Sequence, residues 1–276
     1  MDATLRIRPS KKLGQNFLID KRAIKKVIET ANLRPEDVVL EIGPGLGALT
    51  IELAKKAKKV IALEKDPRMT EILKGTLKDC KNVEIVLGDI LKIGNWELIE
   101  NWKLKIGNYK VVANLPFYIT APAIKKFLEA KNKPEAMILI VQKEVAQRIC
   151  AKPPDMNLLA VSVQFYAKPE IIDFVSKKSS WPVPKVDSAI LKIVPHRAAP
   201  HQYLWYGTGL REQFFQIVRS GFSQPRKQLI NNLSQKLKID KERAKDWLLE
   251  NNIKPEQRAE TLSIGDWISL TKNIDI

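Results

Sequence analysis

The first part of the chain alternates between apolar runs and stretches of helical periodicity, a pattern that few folds can accommodate. Each run is bounded by Gly, Pro, Asn or charged residues, and the six runs cover residues 38–42, 60–63, 83–87, 110–113, 136–141 and 160–165. Helical stretches such as 46–57 and 121–130 separate the first five. Strands that alternate with helices predict an α/β fold with a mostly parallel sheet covered on both faces.

The pattern changes towards the carboxyl terminus. A further apolar run over 189–194 is predicted to close the sheet as a hairpin partner of 160–165, through the turn-rich residues 179–185. The composition then shifts at 195–200, and the periodicity beyond it predicts helices over 210–221, 226–237, 241–251 and 264–272. We therefore predict two domains, with an α/β domain over 1–199 and a small all-α domain over 200–276.

The charge of the chain indicates the kind of partner. Among 276 residues, 47 are basic and 31 acidic, which gives a net charge of +16 that lies mostly before Pro200. Such an excess favours a polyanion through long-range attraction and counterion release. An acidic membrane surface is the rival interpretation, but the longest apolar run, 136–141, is too short to span a bilayer. Nucleic acid is therefore the favoured partner, and no membrane association is expected.

Few residues are available for disulfides or metal ligands. Cys80 and Cys150 cannot form a disulfide framework, and His196 and His201 have no useful metal-ligand spacing, so a reducing cytoplasm and no metal are expected. The amino terminus carries four cations without an apolar segment after them, so it does not resemble a secretory signal and could serve as a nucleic-acid arm: Arg6, Arg8, Lys11 and Lys12.

A glycine-rich turn predicts a cofactor site. Gly43 and Gly45 follow the first apolar run and open a helix, so a ligand can lie against bare backbone at a helix amino terminus. Glu64 ends the second run, where a carboxylate can accept from both ribose hydroxyls of an adenosine cofactor. This pattern alone is compatible with both NAD and S-adenosylmethionine. Asp89 and Ile90 after the third run, suited to bind an adenine amine and ring, favour S-adenosylmethionine.

The segment Asn114-Leu115-Pro116-Phe117 stands where the fourth apolar run ends. An Asn-x-Pro turn capped by a packed Phe is common after any strand. However, the Asn114 amide and a neighbouring backbone carbonyl could accept the hydrogens of an exocyclic base amine, which would restore the nucleophilicity of its nitrogen. The Phe117 ring could stack on the base. These residues suit methyl transfer to a base amine.

Taken together, the motifs resemble the KsgA-type rRNA adenine dimethyltransferases, and they extend from the first dozen residues almost to the end of the chain. The matching segments are Lys12-Leu13-Gly14-Gln15-Asn16-Phe17-Leu18, Glu41-Ile42-Gly43-Pro44-Gly45-Leu46-Gly47, Glu64-Lys65-Asp66, Gly88-Asp89-Ile90-Leu91, Asn114-Leu115-Pro116-Phe117, Pro184-Lys185-Val186-Asp187-Ser188, Phe222-Ser223-Gln224-Pro225-Arg226-Lys227 and Arg258-Ala259-Glu260-Thr261-Leu262-Ser263. The resemblance implies a Rossmann-like class I methyltransferase sheet with a small helical carboxyl-terminal domain. It also implies transfer of methyl groups from S-adenosylmethionine to the N6 atoms of two adjacent adenines near the 3′ end of small-subunit rRNA.

The same resemblance implies roles for individual residues. The cofactor would be bound by Gln15, Asn16 and Leu18 at its methionine side, by the backbone of Gly43 and Gly45, by Glu64 and Lys65 near the ribose, and by Asp89 and Ile90 at the adenine. Asn114, which borders the cofactor, and the Leu115 carbonyl would accept from the target amine. Pro116 would stiffen this turn, and Phe117 would stack on a flipped base.

Two positions depart from the family pattern. Many members have Tyr at the position of Phe117, so the hydroxyl is lost while the ring is kept. The family usually has Phe at the position of Ser180, and the adjacent Trp181 is a possible substitute face for the base or simply a loop packing residue. In the carboxyl-terminal domain, Arg219, Arg226 and Lys227 belong to a family-like segment and are expected to contact phosphates; a solvated helix face is the alternative.

Three other functions compete with small-subunit rRNA methylation. A related large-subunit adenine methylase that confers macrolide resistance shares the Asn-x-Pro-aromatic motif but not the carboxyl-terminal signature. A non-catalytic RNA-binding factor would show decay of the cofactor residues, and none has decayed. A nicotinamide oxidoreductase would leave the Asn114 segment unexplained. The expected partner is therefore small-subunit rRNA in an assembling ribosomal subunit, bound by a monomer.

Overall fold

The computed structural model describes residues 8–10, 13–92, 109–196 and 208–272. The chain divides into two compact units, the first formed by Met1–Ala146 and Lys168–Pro195 and the second by Gln147–Ala167 and His196–Ile276. The boundary predicted near Pro200 lies outside the described residues. The division differs from the predicted one because residues 147–167 group with the later helices.

The first unit contains a seven-stranded mixed sheet. Its strands are β2 (Val38–Ile42), β3 (Lys59–Glu64), β4 (Val83–Leu87), β5 (Tyr109–Asn114), β6 (Ala136–Gln142), β7 (Ala167–Val175) and β9 (Ser188–Pro195), in the order β4-β3-β2-β5-β6-β9-β7. The first five strands are parallel, and β9 is antiparallel to β6. The strand order reverses between β2 and β5, and ligands commonly bind at such a point, beyond the carboxyl ends of the strands.

Both faces of the central strands are buried, as their continuous apolar runs predict. Alternate residues such as Val39, Val60, Val112 and Ile138 enter one core cluster, and their neighbours Ile61 and Met137 are equally buried. The described helices of this unit are α1 (Lys21–Ala31), α2 (Ala48–Ala54), α3 (Pro67–Thr76) and α4 (Thr120–Glu129). Helix α5 (Lys143–Ile149) begins in this unit, and its last three residues are assigned to the second. A short 3-10 helix, Phe117–Ile119, precedes α4.

A second, two-stranded sheet is formed by β1 (Phe17–Leu18) and β8 (Ser180–Trp181). The strands are antiparallel, with Phe17 opposite Trp181 and Leu18 opposite Ser180. A 3-10 helix, Lys177–Ser179, leads into β8. This small sheet joins the segment before α1 to the loop before β9.

The strand predicted over 160–165 is wrong. Residues 160–164 lie in helix α6 (Leu158–Gln164) and Phe165 is its C-cap, because the Asn157 side chain caps the start of the helix by accepting from the backbone N–H groups of Leu159 and Ala160. Consequently the predicted hairpin partner of β9 is also wrong, since β9 lies between β6 and β7 in the sheet.

The second unit is helical where it is described. Its later helices are α7 (Thr208–Gly221), α8 (Leu229–Leu237), α9 (Lys241–Glu250) and α10 (Ile264–Lys272). The helix expected from Arg226 begins three residues later, because residues 224–227 form a turn in which the Lys227 N–H donates to the Gln224 carbonyl at 3.0 Å. Buried Asn232 stabilises this turn by donating to the carbonyls of Gly221 and Gln224.

Candidate active site

A cleft of about 1110 Å³, including space open to solvent, lies in the first unit at the carboxyl ends of the parallel strands. Almost all residues that the sequence predicted for catalysis and cofactor binding line it. These are Gln15, Asn16, Leu18, Gly43, Gly45, Glu64, Lys65, Asp89, Ile90, Asn114, Leu115, Pro116 and Phe117. The topology explains this convergence, because each of these segments adjoins the carboxyl end of a strand or the β1–β8 sheet.

The glycine-rich turn between β2 and α2 forms one wall of the cleft. Gly43 has φ +67° and Gly45 has φ +57°, a backbone region that L side chains rarely adopt. A Cβ atom on Gly45 would lie 2.7 Å from the Phe17 ring, whereas among the described residues only the chain neighbours of Gly43 can lie within 4 Å of its Cβ position. Gly45 therefore allows the Phe17 ring to pack on the turn, and Gly43 presents bare backbone to open space.

The Glu64 carboxylate is fixed by backbone donors at the end of β3. Its Oε1 accepts from the N–H groups of Lys65 and Asp66, both at 2.8 Å, and Oε2 accepts from the Gly45 N–H at 3.3 Å. Burial raises the pKa of Glu64, and the three hydrogen bonds oppose that shift. The carboxylate is thus held beside the glycine turn, where a ribose could donate to it.

Asp89, predicted to bind adenine, pairs with Lys65. The Lys65 Nζ lies 2.9 Å from Oδ2 of Asp89, and Oδ1 accepts from the Leu91 N–H at 3.0 Å. Burial opposes ionisation of Asp89, but these contacts outweigh it and lower its pKa. Tyr118 also bonds to Lys65 and, together with Asp89, raises the lysine pKa. Ile90 is buried beside this pair.

Residues of β1 and of the segment that leads into it form another part of the lining. The Gln15 Nε2 donates to Oδ2 of Asp66 at 3.0 Å, and its Oε1 accepts from the Ser10 N–H at 2.7 Å. Asn16 donates from its side chain to the Gly14 carbonyl at 3.2 Å. Leu18 is buried in the core cluster. The side chains of Gln15 and Asn16 therefore fix the shape of this segment as well as lining the cleft.

Asn114 lies at the end of β5, where its amide is oriented by a backbone carbonyl. The Asn114 Nδ2 donates to the Asn16 carbonyl at 2.8 Å, and no described residue donates to its Oδ1. The Leu115 N–H donates to the Ile140 carbonyl at 3.1 Å, which anchors the turn to β6. Pro116 precedes the 3-10 helix that starts at Phe117. The side-chain oxygen of Asn114 is therefore available as an acceptor.

Glu41 is a cleft residue that sequence reasoning assigned to a motif but gave no role. Its side chain is in the cleft lining, the residue is only 2% exposed, and its Oε2 has no hydrogen-bond partner among the described residues. Burial raises the pKa of Glu41 to about 8, and the nearby Glu64 charge adds to the shift. The sequence feature that could have identified Glu41 as a buried acid is its position inside the apolar run of β2. Tyr118 and Phe17 also line the cleft without a predicted role.

Trp181 is not in the cleft lining, although its neighbour Ser180 is. The indole stacks on the Phe17 ring, with centroids 6.0 Å apart and planes inclined by 26°. Trp181 is 43% exposed. The structure thus brings this residue to the border of the cleft, and its contact with a base stays a prediction.

The three predicted phosphate-binding residues lie in the second unit. Arg219 is in the last turn of α7, and Arg226 and Lys227 are in the turn before α8. All three are exposed. Of the predicted amino-terminal arm, only Arg8 is described, and it is exposed.

The residues of the cleft fit S-adenosylmethionine. The open backbone at Gly43 leaves room for a ligand, and the oriented Glu64 carboxylate suits ribose hydroxyls. The Oε2 of Glu41, which has no hydrogen-bond partner among the described residues, is a further polar atom in a residue of the cleft lining. Asp89 with Ile90 offers a polar and an apolar contact for an adenine. Among the described residues no group of three His, Cys, Asp or Glu side chains could hold a metal ion. Likewise, no helix in the described ranges is long and apolar enough to cross a membrane.

Comparison with known proteins identifies relatives along nearly the full chain. Residues 7–275 match the family described as "Ribosomal RNA adenine dimethylase". "Ribosomal RNA small subunit methyltransferase A" of Dehalococcoides mccartyi (strain CBDB1) is 44% identical over 96% of this chain and 88% of its own length. The protein of the same name from Geobacillus kaustophilus is 41% identical over 95% of this chain and 89% of its own length.

Solved structures resemble the fold at similar coverage. The 23S rRNA methyltransferase ErmE has a TM-score of 0.75 and 28% identity, covering 95% of this chain and 100% of its own. A dimethyladenosine transferase from Plasmodium falciparum has a TM-score of 0.76 and 26% identity, covering 92% of this chain and 95% of its own. These similarities confirm the predicted class I methyltransferase sheet with a helical carboxyl-terminal region. The chain is an S-adenosylmethionine-dependent methyltransferase that belongs to the ribosomal RNA adenine dimethylase family.

Proposed function

We propose that the chain dimethylates the N6 atoms of two adjacent adenines near the 3′ end of small-subunit rRNA. The observation that carries the proposal is the Asn114 amide, whose Nδ2 is bound to the Asn16 carbonyl so that Oδ1 is left to accept from a target amine. The small-subunit methyltransferases at 41–44% identity support this substrate. ErmE, a 23S rRNA enzyme, is more distant at 28% identity.

The cofactor roles follow from the lining of the cleft. Glu64 would accept from the ribose hydroxyls, and Asp89 would accept from the adenine amine while Ile90 packs on the ring. Gln15, Asn16 and Leu18 would border the methionine part, and the backbone at Gly43 and Gly45 would lie along the ligand. When bound, S-adenosylmethionine supplies the electrophilic methyl group. Lys65 would keep Asp89 ionised, as the lowered pKa of Asp89 indicates.

The chemistry requires the target amine to be nucleophilic. An adenine amine has its lone pair delocalised into the ring, and accepting both of its hydrogens shifts electron density back to the nitrogen. The Asn114 Oδ1 and the Leu115 carbonyl are the proposed acceptors, with Pro116 restricting the backbone between them and the ring of Phe117. Phe117 would stack on the flipped base. A methylated amine loses its proton readily, so no strong general base is required.

The remaining assignments concern RNA binding and context. The first 199 residues would form the catalytic domain, and residues 200–276 would recognise the rRNA or ribosomal subunit. Arg219, Arg226 and Lys227 would contact phosphates. The high net charge of +16 supports a polyanionic partner. We further propose that the chain acts as a cytoplasmic monomer on an assembling small subunit, without a metal.

The direct test is incubation of the protein with labelled S-adenosylmethionine and undermethylated small subunits, followed by mapping of the modified nucleotides. We expect two adjacent dimethylated adenines. Asn114→Ala should reduce the rate roughly a hundredfold or more, because a positioned polar group at the reacting centre is lost. The variant should still fold and bind RNA, and its cofactor affinity is measured separately because Asn114 also bonds to the Asn16 carbonyl. Label in large-subunit rRNA alone, or normal turnover by Asn114→Ala, would contradict the proposal.

A further inference from the structure

A loop beside the cleft combines exposed apolar side chains with lysines. Residues 176–187, here called the rim loop, include Trp181, Val183 and Val186, which are 43%, 58% and 44% exposed. Two other members, Ser180 and Pro184, line the cleft itself. Exposed apolar clusters rimmed by polar residues commonly mark interaction sites. The rim loop is therefore a surface continuous with the candidate active site.

The rim loop is held in place by hydrogen bonds at both ends. The Asp187 carboxylate accepts from the Lys177 N–H at 2.9 Å, which closes the loop on itself. The Ser179 hydroxyl donates to Oδ2 of Asp20 at 2.7 Å, and the Ser179 carbonyl accepts from the Ile19 N–H at 2.9 Å. These contacts fix the backbone without using the exposed side chains. The surface is thus formed before any partner binds, which lowers the entropic cost of binding.

The lysines of the rim loop form no ion pairs within the part of the chain that the structure describes. Lys177, Lys178 and Lys185 are exposed, and none forms an ion pair with a described residue. Elsewhere on the first unit, exposed lysines such as Lys55 and Lys74 pair with nearby glutamates at 2.7 and 2.6 Å. The rim loop carries these three lysines and one acid, Asp187, so its net charge is positive and favours a polyanionic partner.

Trp181 presents an aromatic face next to the opening of the cleft. Phe17 stacks on the indole and is itself part of the cleft lining. Packing of Phe17 against Gly45 therefore links the indole to the glycine turn. An indole supported in this way, and still 43% exposed, is suited to stack on a nucleic acid base.

We propose that the rim loop binds the nucleotide adjacent to the adenine in the cleft, with its base stacked on Trp181 and the nearby phosphates bound by Lys177, Lys178 and Lys185. A base that enters the cleft leaves its stack, so its neighbour loses a stacking partner that the indole replaces. This inference rests on the proposed function, because it presupposes an adenine in the cleft. It assigns recognition of the flanking nucleotide to a residue outside the cleft lining.

Stacking is tested with a synthetic RNA hairpin whose single-stranded loop carries two adjacent adenines. Trp181→Leu should weaken hairpin binding by roughly 5- to 150-fold, and Trp181→Phe should restore most of the affinity. In a second hairpin, the nucleotide that flanks the target adenine lacks its base, so Trp181 has nothing to stack on. The unchanged chain and Trp181→Leu should bind this abasic hairpin with equal affinity. Affinity for S-adenosylhomocysteine is measured in parallel, and an effect of Trp181→Leu on that affinity alone would overturn the stacking role.

The phosphate contacts are tested by salt dependence. Replacing Lys177, Lys178 and Lys185 with Ala should lower the slope of log affinity against log salt by about 2, at roughly 0.7 per single-strand contact. Lys56→Ala with Lys58→Ala is the control, since these exposed lysines precede the amino end of β3, whereas the cleft lies at the carboxyl ends of the strands. An unchanged slope would refute the proposal.

Two further outcomes separate the inference from the function on which it rests. If Trp181→Leu binds the hairpin normally but binds small subunits weakly, the rim loop contacts a ribosomal protein and the proposal is wrong. If the unchanged chain methylates adenine while every rim-loop variant binds RNA normally, only the inference fails. Absence of adenine methylation by the unchanged chain would instead reject the proposed function.

Discussion

At the scale of single residues, burial and backbone donors determine the state of the acidic side chains in the cleft. Glu64 is buried but accepts three backbone hydrogen bonds, which favour its ionised form. Glu41 is more deeply buried and has an oxygen without a partner among the described residues. Burial raises the pKa of both carboxyl groups, and it raises that of Glu41 to about 8, so Glu41 retains its proton up to about that pH.

The raised pKa of Glu41 predicts how stability varies with pH. Native Glu41 binds a proton until about pH 8, whereas the unfolded chain releases it near 4.5. The native state therefore binds more protons between these values, so Glu41 lowers the free energy of unfolding as pH rises. Glu41→Gln should abolish this decrease in the free energy of unfolding with rising pH. The variant should gain up to about 1.4 kcal/mol per pH unit relative to the unchanged chain between pH 5 and 8.

The measurement is urea unfolding of both proteins at several pH values, and the slope with pH is diagnostic. Glu170→Gln is the control, because Glu170 is exposed in strand β7. Its profile should parallel that of the unchanged chain. A constant difference between Glu41→Gln and the unchanged chain across this range would show that Glu41 ionises normally.

At the scale of elements, the glycine turn and strand β1 are packed against each other. Gly45→Ala should cost about 1–3 kcal/mol of stability from the left-handed backbone, since φ is +57°. It should also displace Phe17, whose ring lies 2.7 Å from the new Cβ, and so weaken S-adenosylmethionine binding. Thermal unfolding and calorimetric titration with the cofactor measure the two effects.

Substitutions at two other glycines separate the effect of backbone strain from that of the contact with Phe17. Gly43→Ala has similar backbone strain, with φ +67°, but its Cβ would contact no described residue beyond its chain neighbours, so Phe17 should keep its position. Gly75→Ala in α3 introduces neither left-handed backbone strain nor a close contact, and it should stabilise the helix by roughly 0.5–1 kcal/mol. If Gly45→Ala is no less stable than Gly43→Ala, the packing of Phe17 on the glycine turn does not contribute to stability.

Most strands could be predicted because buried parallel strands have continuous apolar runs. Two of the errors have local causes. Residues 158–164 are mostly apolar and include two valines, which hid a helix whose clear signal was the Asn157 cap. Strand β7 was missed because Pro169 and charged residues interrupt it, which an edge strand tolerates.

The candidate site was predictable to a similar degree. The sequence motifs identified the lining of the cleft because each follows a strand whose carboxyl end meets the same edge. Pairwise contacts were not predictable from the sequence. The bond between Asn114 and Asn16, for example, joins residues 98 positions apart through the three-dimensional fold.

At the scale of the whole molecule, the net charge of +16 makes RNA binding sensitive to salt. The exposed Arg226 and Lys227 lie in a turn that Asn232 stabilises, so their backbone is fixed before binding. If both contact phosphates, replacing them with Ala should lower the salt slope by about one to two units, at roughly 0.7–0.9 per contact. The base that is methylated should not change, because base identity is determined in the cleft.

The matched control replaces Lys236 and Lys238, exposed residues at the other end of α8. This pair removes the same charge, so a purely global electrostatic effect would alter both double variants equally. Affinities for small subunits are measured across a salt series, together with the position of the methylated adenines. A larger slope change for the Arg226 and Lys227 variant than for the control assigns phosphate contacts to this turn. Equal slopes for the two variants would mean that Arg226 and Lys227 act only through net charge, and the second unit would then have to recognise RNA by shape or by contacts with protein.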